Sequence, residues 1–296
     1  VTANRDVIQL RRKCREKGLV SLRDDGILKI KQGLTTTDEI LRVMAPFVKR
    51  RVEGDDPEWN ADVRKRKKRI LRNNLRRLAL GWLPQHQRQA EAVIDEYTRF
   101  WGTGYGRYDP TRPPARYSSW HWGEDRLLAN DFGGARFRQL MLVRLIERLR
   151  PHSVLEVGCG LGIHLLLLAC RFPEISFAGL ELTKAGHEAA RRLQQHERLP
   201  EHLVAFAPEP LQDVSAFRRI DFRQGSAAAL PFPDGTFDLV YTVLALEQME
   251  RVRAEVLNEF ARVTRRYYFG IEPFRDVNVG GWERLHVFGR DYLRGS

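Results

Sequence analysis

An acidic residue and three closely spaced glycines form the part of the chain best suited to bind a small molecule. The stretch Ser153-Val-Leu-Glu-Val-Gly-Cys-Gly-Leu-Gly162 predicts a buried strand, a tight turn and the start of a helix. Gly158 permits a turn directly after the strand, Gly160 lets a ligand approach the backbone, and Gly162 lets the next helix pack near the sheet. Free N–H groups at the start of that helix are expected to face the ligand.

Two ligand-binding patterns compete for this turn. A dinucleotide site has the pattern G-x-G-x-x-G, whose last position falls on Ile163, so the pattern fails by one residue. With Glu156 two residues before Gly158, the stretch instead resembles the first motif of the class I S-adenosylmethionine-dependent methyltransferases. In that family the acidic residue helps to hold the methionyl ammonium. The resemblance implies that Glu156, Gly158, Gly160 and Gly162 bind S-adenosyl-L-methionine.

Three later segments follow the order of the same family. Ile175–Glu181 is an apolar run that ends in an acid, and a carboxylate there can accept hydrogen bonds from both ribose hydroxyls. Ile220–Ser226 predicts a third strand, whose end lies beside the adenine in the family. Ser226 stands there in place of the more usual Asp. Leu230–Val240 resembles the segment "LPFpdgsFDlV" of the type 11 methyltransferases and predicts a turn before a fourth strand.

The predicted fold class is α/β, a Rossmann-like doubly wound parallel sheet of the class I methyltransferase type with an all-α N-terminal extension. We expect a helical module at residues 1–45, a linker at 46–60, a basic helical region and an aromatic lid segment at 61–134, and the methyltransferase domain at 135–296. The chain stops soon after the fifth predicted strand, Tyr267 to Glu272, whereas the family usually adds two more strands. The domain is therefore expected to be incomplete at its C-terminal end.

Composition excludes several classes of protein. The 296 residues are 43% hydrophobic, which is enough for a sizeable core. No apolar run is long enough to predict a membrane span, and the polar, basic first residues do not resemble a signal peptide. Cys14, Cys159 and Cys170 have neither metal-ligand spacing nor a paired framework, so we expect no metal site and a cytoplasmic location. Cys159 is interpreted as a small residue that fills the turn, not as a nucleophile.

The net charge of +12 is concentrated in the first half of the chain. A helix predicted from Ala61 to about Gly81 carries cations throughout Arg64–Arg77. Such a run can bind phosphates through counterion release, so RNA bound through Arg64–Arg77 is one hypothesis. The other is a solvated helix face, or a face that covers an acidic partner. The solvated or partner-covering face is favoured over RNA binding, because no aromatic residue lies among the charges.

A second resemblance lies near the start of the chain. Leu22–Lys29 and Gly33–Val43 resemble the C-terminal tail of the type II secretion and type IV pilus assembly ATPases. Thr36-Thr-Asp-Glu39 has the spacing of a helix-capping box. The nucleotide-binding motif G-x-x-x-x-G-K-[ST] of those ATPases does not occur in the chain. The resemblance implies no activity, but it makes a secretion- or pilus-related partner of residues 1–45 a hypothesis.

Two residues are candidates for acid–base chemistry. His121 lies in the aromatic-rich segment 102–134, which either covers the cofactor as a lid or forms core beside the main domain. It is the one residue of that segment able to act as a base near neutral pH, although a lone histidine is more often structural. Glu247 lies in Ala245–Met249, where the loop after strand four meets the acceptor in the family. A carboxylate there also suits a helix start electrostatically.

The resemblance implies methyl transfer from S-adenosyl-L-methionine to an acceptor. A small-molecule acceptor is expected, because the second half of the chain is slightly acidic and type 11 domains commonly act on metabolites. RNA is an alternative acceptor, supported only by the basic helix. A non-catalytic methyltransferase-like module, tethered to secretion or pilus machinery, is a third hypothesis.

Overall fold

The computed structural model describes residues 37–80, 90–101, 104–111, 116–122, 125–249 and 252–273, together with positions 281, 282, 284 and 285. Most of the segment that resembles the secretion ATPase tail lies outside these residues. Within them, every helix falls short of the length or the apolar character that crossing a bilayer requires.

The described residues form both helices and strands. In chain order they are α1 (Thr37–Met44), β1 (Val48–Arg51), α2 (Pro57–Leu80), α3 (Ala90–Trp101), β2 (Ser118–Trp122), β3 (Asp125–Ala129), α4 (Asp131–Leu149), β4 (Ser153–Val157), α5 (Ile163–Arg171), β5 (Ser176–Glu181), α6 (Lys184–Leu193), α7 (Glu201–Phe206), β6 (Asp221–Gln224), β7 (Phe237–Val243), α8 (Arg253–Val263) and β8 (Thr264–Ile271). Short 3-10 turns lie at Tyr105–Tyr108, Ala216–Arg219 and Leu246–Gln248.

The main sheet has five strands in the order β6-β5-β4-β7-β8, and every neighbouring pair is parallel. From β4 the chain first builds the sheet towards β5 and β6, and then returns to build it towards β7 and β8. This is the doubly wound arrangement predicted from the sequence, and the predicted strand bounds are correct to within about three residues.

Both faces of this sheet are covered. Val154, Leu239 and Tyr241 face a cluster formed with helices α4 to α7. Leu155 and Val240 face a second cluster, formed with α8. Strands buried on both faces are typical of parallel sheets, because crossover helices lie on either side.

The N-terminal part was expected to be all-α, but it contains a three-stranded sheet. Strand β1 pairs antiparallel with β3, which also pairs antiparallel with β2. The predicted linker at 46–60 therefore contains a strand and the first turn of α2. The alternation of buried and exposed residues in β1 extends over only four residues, and the composition of this segment resembles that of a loop. Its partner strand lies more than 70 positions away in the sequence, so no local pattern predicted the pairing.

Helix α2 begins four residues earlier than the predicted start at Ala61, and both α2 and α4 have an identifiable cap. For α4 the cap is Asn130, whose side chain accepts a hydrogen bond from the Phe132 amide at 2.9 Å. For α2 the cap is Asp56, which accepts from the Trp59 amide at 3.0 Å. Pro57 then fills the first helical position, where the absence of an N–H has no cost. The last turn of α4 lies beside the start of β4, so its first turn lies near the opposite, carboxyl edge of the sheet.

Candidate active site

The candidate site lies at the carboxyl end of β4, where the chain reverses the direction in which it builds the sheet. Strand β4 has β5 on one side and β7 on the other. In open sheets of this kind a crevice forms outside the strand ends at the reversal, and ligands bind there. The turn Gly158–Gly162 leaves β4 at this place and leads into α5.

The glycines of this turn are required by its backbone conformation and by its packing. Gly158, Gly160 and Gly162 have φ values of 77°, 56° and 73°, a region in which only glycine is unstrained. A Cβ on Gly158 would lie 2.6 Å from the Cβ of Ala245, in the loop after β7. The turn and that loop are therefore in direct contact.

A tryptophan from the N-terminal part covers the middle of the turn. A Cβ on Gly160 would lie 2.4 Å from the ring of Trp101, the last residue of α3. The indole Nε1 of Trp101 is buried and has no hydrogen-bond partner. Nearby, the Tyr105 hydroxyl donates to the Leu161 carbonyl at 2.7 Å. The sequence predicted that a ligand approaches the backbone at Gly160, whereas in the structure an aromatic ring of the same chain lies there.

Glu181 ends β5 and closes the turn from the other side. Its Oε2 accepts a hydrogen bond from the Gly160 amide at 2.8 Å. Its Oε1 accepts from the Thr183 amide at 2.9 Å and from the Thr183 hydroxyl at 2.6 Å. The Gly160 N–H is therefore already bonded to Glu181. A ribose could bind Glu181 only by replacing some of these hydrogen bonds.

Glu156 is a buried carboxylate without a cation. It is 2% exposed, and its Oε2 accepts a hydrogen bond from the Tyr241 hydroxyl at 3.0 Å. Burial raises the pKa of Glu156 well above its usual range and the negative charge of Glu181 raises it further, against the opposing Tyr241 hydrogen bond. Within the described part of the chain no Lys or Arg contacts Glu156. Because two acidic groups lie here without a cation, the site suits a positively charged ligand.

Cys159 is inert in this setting. Burial raises the pKa of its thiol, and the nearby charges of Glu156 and Glu181 add to the effect. Since the thiolate is the nucleophilic form, the interpretation of Cys159 as a residue that fills the turn agrees with the structure.

Ser226 lies at the same edge of the sheet. The amide of the preceding residue, Gly225, donates to the Glu181 carbonyl at 3.0 Å. This hydrogen bond places Ser226 just beyond the end of β6. The Ser226 hydroxyl accepts from the Ala228 amide at 3.2 Å, and its side chain is exposed. The structure thus brings Glu156, Glu181, Ser226 and the glycine turn to one edge; their roles in binding stay predictions.

A buried acid behind the loop after β7 was not singled out from the sequence. Glu272 follows β8, and its Oε1 accepts hydrogen bonds from the amides of Ala245 and Leu246, both at 3.1 Å. Its Oε2 is buried and has no partner, and burial raises the pKa of Glu272 to about 7. Glu247, the predicted candidate, lies in the adjacent 3-10 turn and accepts from the Gln248 amide group at 2.8 Å. An acid at the end of a predicted strand was the available signal for Glu272.

A second buried polar pair lies on the other side of the turn. His164, in the first turn of α5, shares a 2.8 Å hydrogen bond with the Gln139 side chain of α4. Burial lowers the pKa of His164 to about 3, and the charge of Arg138 contributes. His164 therefore stays neutral and joins the two helices. The other histidine candidate, His121, pairs with Arg126 in the β2–β3 ladder, but its side chain lies outside the described residues.

Within the aromatic segment, Tyr108 agrees with the interpretation as core, and the interpretation as a lid over the cofactor stays a prediction. Tyr108 is buried, and its ring packs edge-on against Phe132 at 5.3 Å and Phe206 at 5.2 Å. These rings form core between the N-terminal part and the main domain. Tyr105 and the adjacent Trp101, by contrast, cover the glycine turn.

The same region matches a known family. Residues 155–267 match the family model described as a methyltransferase domain. This segment is similar to the methyltransferase domain that the family model describes. The match includes the glycine turn and all five strands except the ends of β4 and β8, but it does not include residues 1–45 or 61–134. The resemblance of residues 1–45 to secretion ATPases stays a prediction.

Two curated relatives and one solved structure illustrate the similarity. A fatty-acid O-methyltransferase of Mycolicibacterium smegmatis is 32% identical over 44% of this chain and 40% of its own length. A probable chloroplastic tocopherol O-methyltransferase of Oryza sativa subsp. japonica is 30% identical over 38% of this chain and 26% of its own length. The crystal structure of YcgJ from Bacillus subtilis has a TM-score of 0.32 and 28% identity, and the match covers 43% of this chain and 46% of that one. The chain thus spans less than half the length of these relatives.

S-adenosyl-L-methionine is the cofactor that this domain implies, and the residues present fit it. The cofactor carries an ammonium and a sulfonium group, and the site has two acidic side chains, Glu156 and Glu181, that no described cation contacts. The aromatic face of Trp101 beside the turn also suits a sulfonium cation.

Proposed function

We propose that the chain transfers a methyl group from S-adenosyl-L-methionine to a small-molecule acceptor. The observation that carries the proposal is the Glu156–Glu181 pair at the reversal point of the sheet, within the segment that matches a methyltransferase domain. The names of the relatives support a small acceptor, since they refer to a fatty acid, tocopherol and ajmaline. In this assignment Glu156 holds the ammonium, Glu181 the ribose, and Ser226 the adenine.

The cofactor, when bound, supplies an already activated methyl group, so the protein has mainly to bind and orient the acceptor. Glu181 changes its hydrogen-bond partners when the ribose binds. Its hydrogen bonds to Gly160 and Thr183 keep the carboxylate oriented towards the turn before the ribose replaces them. Trp101 excludes water from the same place. When the cofactor binds, its contacts replace the hydrogen bonds of Glu181 and the contact of Trp101 with Gly160.

A base is needed only if the acceptor is a hydroxyl or a protonated amine. Glu272 supports such a role, because its pKa of about 7 lets it take up or release a proton near neutral pH, and its Oε2 has no partner. Glu272 also holds the loop 245–248 through two amides. Glu247, in that loop, stays the alternative base. A fatty-acid carboxylate would need neither.

Calorimetric titration with S-adenosylhomocysteine tests the cofactor assignment. Wild-type protein is expected to bind with micromolar affinity, and Glu181→Ala and Glu156→Gln are expected to weaken binding at least tenfold. Glu188→Ala, on the exposed face of α6, is the matched control and should bind like the wild type. Unchanged binding by Glu181→Ala would refute the ribose contact, and no binding by the wild type would refute the site.

Transfer of a radiolabelled methyl group tests the acceptor class. The protein is incubated with labelled S-adenosyl-L-methionine in parallel reactions. Each reaction contains one acceptor class: long-chain fatty acids, phenols, secondary amines or total RNA. Label in the organic extract supports the proposal. Label in RNA alone would refute the small-molecule acceptor, and cofactor binding without transfer to any class would favour the non-catalytic module.

A further inference from the structure

Helix α2 is fixed to the rest of the structure through its first half. Trp59 is 8% exposed and packs in a cluster with Val52 and Leu128. Asp62 accepts hydrogen bonds from the Ser119 amide at 2.9 Å and from the Ser119 hydroxyl at 2.8 Å. These contacts join α2 to the three-stranded sheet and determine which side of the helix faces outward.

The second half of α2 presents apolar side chains to solvent. Leu71, Leu75 and Leu78 are 46%, 57% and 75% exposed. Their spacing of four and three residues places them on one side of the helix, in a stripe about 10 Å long. Single exposed leucines are common in proteins. A contiguous stripe, bordered by charged residues, marks an interaction surface.

Cations continue and border the same stripe. Arg64 and Lys68 lie on its line towards the N-terminus, while Arg72 and Arg76 lie beside the leucines; all four are exposed. None of the four forms an ion pair with a carboxylate in the described part of the chain. The two acidic residues of the helix lie in its first two turns, where both are already bonded. The outward side of α2 is thus strongly basic and apolar at once.

We propose that this side of α2 binds an anionic lipid surface. Leu71, Leu75 and Leu78 would enter the boundary between headgroups and acyl chains, and the flanking cations would bind headgroup phosphates. Long Arg and Lys side chains can hold their charges at the headgroups while their stems cover apolar surface. This inference concerns a surface remote from the methyltransferase match and does not depend on methyl transfer.

A phosphate backbone explains only part of this surface. RNA would neutralise Arg64, Lys68, Arg72 and Arg76, but it would leave the leucine stripe in water. The aromatic residue of the helix itself, Trp59, is buried, and the ring of Trp282 lies 5.5 Å from the Lys67 ammonium. One ring provides little stacking for successive bases. A lipid surface satisfies both the charges and the leucines. For that reason the basic helix favours lipid over the RNA partner considered from the sequence.

Cosedimentation of the full chain with vesicles tests the proposal. Binding is expected to vesicles of equimolar phosphatidylcholine and phosphatidylglycerol, and not to phosphatidylcholine alone. The pair Leu75→Ser and Leu78→Ser should lower the partition coefficient at least tenfold. The pair Arg72→Gln and Arg76→Gln should lower it about twenty-five-fold, because each cation near an anionic surface contributes about fivefold.

Matched controls change the same chemistry elsewhere. Val204→Ser removes a half-exposed apolar side chain from α7, and the pair Arg148→Gln and Arg218→Gln removes two exposed cations. These controls should bind vesicles like the wild type, and thermal melting should show every variant folded. Three results would overturn the proposal. The protein would not bind the anionic vesicles, or the Leu75→Ser and Leu78→Ser pair would not weaken binding. In the third, only the arginine pair would weaken vesicle binding, and RNA would displace the vesicles completely.

Discussion

Glu272 gives the protein a pH-dependent stability that one substitution should remove. Its carboxyl group holds the loop after β7 through the amides of Ala245 and Leu246, while its other oxygen is buried without a partner. Glutamine has the same shape as the protonated acid and keeps an oxygen for the two amides. Glu272→Gln therefore mimics the protonated protein at every pH.

The magnitude follows from the pKa of Glu272, which is about 7 in the folded state against 4.5 for an ordinary glutamate. Below about pH 4.5 the group is protonated in both states. Between these values only the folded state keeps the proton, so the free energy of unfolding falls as the pH rises. Above about pH 7 the loss is complete and amounts to ~3 kcal/mol.

Urea unfolding at a series of pH values from about 5 to about 8 provides the assay. Wild type and Glu272→Gln should have similar free energies of unfolding at the acidic end. The variant should be more stable by ~3 kcal/mol at the alkaline end. Glu255→Gln, on the exposed side of α8, should follow the wild-type curve. If the Glu272→Gln curve also runs parallel to that of the wild type, the assigned burial of this acid is wrong.

Three further substitutions test the cover over the glycine turn and the attachment of α2. Gly160→Ala should destabilise the protein by ~2 kcal/mol or more in urea unfolding, because alanine is strained at a φ of 56° and its Cβ would meet the Trp101 ring; equal stability would contradict both reasons. Trp101→Ala should speed the association of S-adenosylhomocysteine in stopped-flow fluorescence, because the ring then no longer has to leave Gly160. A slower association would show that the ring instead helps to form the site. Gly160→Ala lowers the free energy of unfolding through its contact with the Trp101 ring and through backbone strain. When Trp101→Ala is combined with it, the contact is lost and the strain stays. A double-mutant cycle should therefore give a nonzero coupling energy. Asp62→Ala should cost ~2 kcal/mol, because two short hydrogen bonds to Ser119 are lost, whereas Asp55→Ala, at an exposed position, should have little effect.

The main domain was predictable because its elements carry local signals. Buried strands appear as short apolar runs, the glycine turn needs its residues for backbone reasons, and Thr183, a residue type that favours helix starts, caps α6 by accepting from the Gly186 amide at 3.3 Å. Parallel strands are connected in a regular order. Once Glu156 and Glu181 were placed at strand ends, the topology brought them to one edge of the sheet.

The cover and the N-terminal sheet were not predictable, because they depend on contacts between distant parts of the chain. Trp101 ends α3, and nothing in the neighbouring sequence indicates that its ring contacts Gly160. The position of Glu272 was visible as the end of a predicted strand. Its raised pKa, however, depends on burial beneath the loop 245–248, which only the folded structure shows.

The pairing of β1 with β3 changes how the chain can be divided into exchangeable modules. Composition suggested a boundary near residue 45 or 60. In the structure, however, Glu39 of α1 accepts a hydrogen bond from Arg144 of α4 at 2.6 Å, and the Phe47 carbonyl accepts from the Asn130 amide at 2.8 Å. A cut near residue 45 would break the Glu39–Arg144 hydrogen bond. A cut near residue 60 would break both contacts and remove β1 from the edge of β3. If residues near the start of the chain were acquired by gene fusion, neither residue 45 nor residue 60 would mark the junction, and deletions meant to isolate a binding tail should leave Glu39 and Phe47 in place.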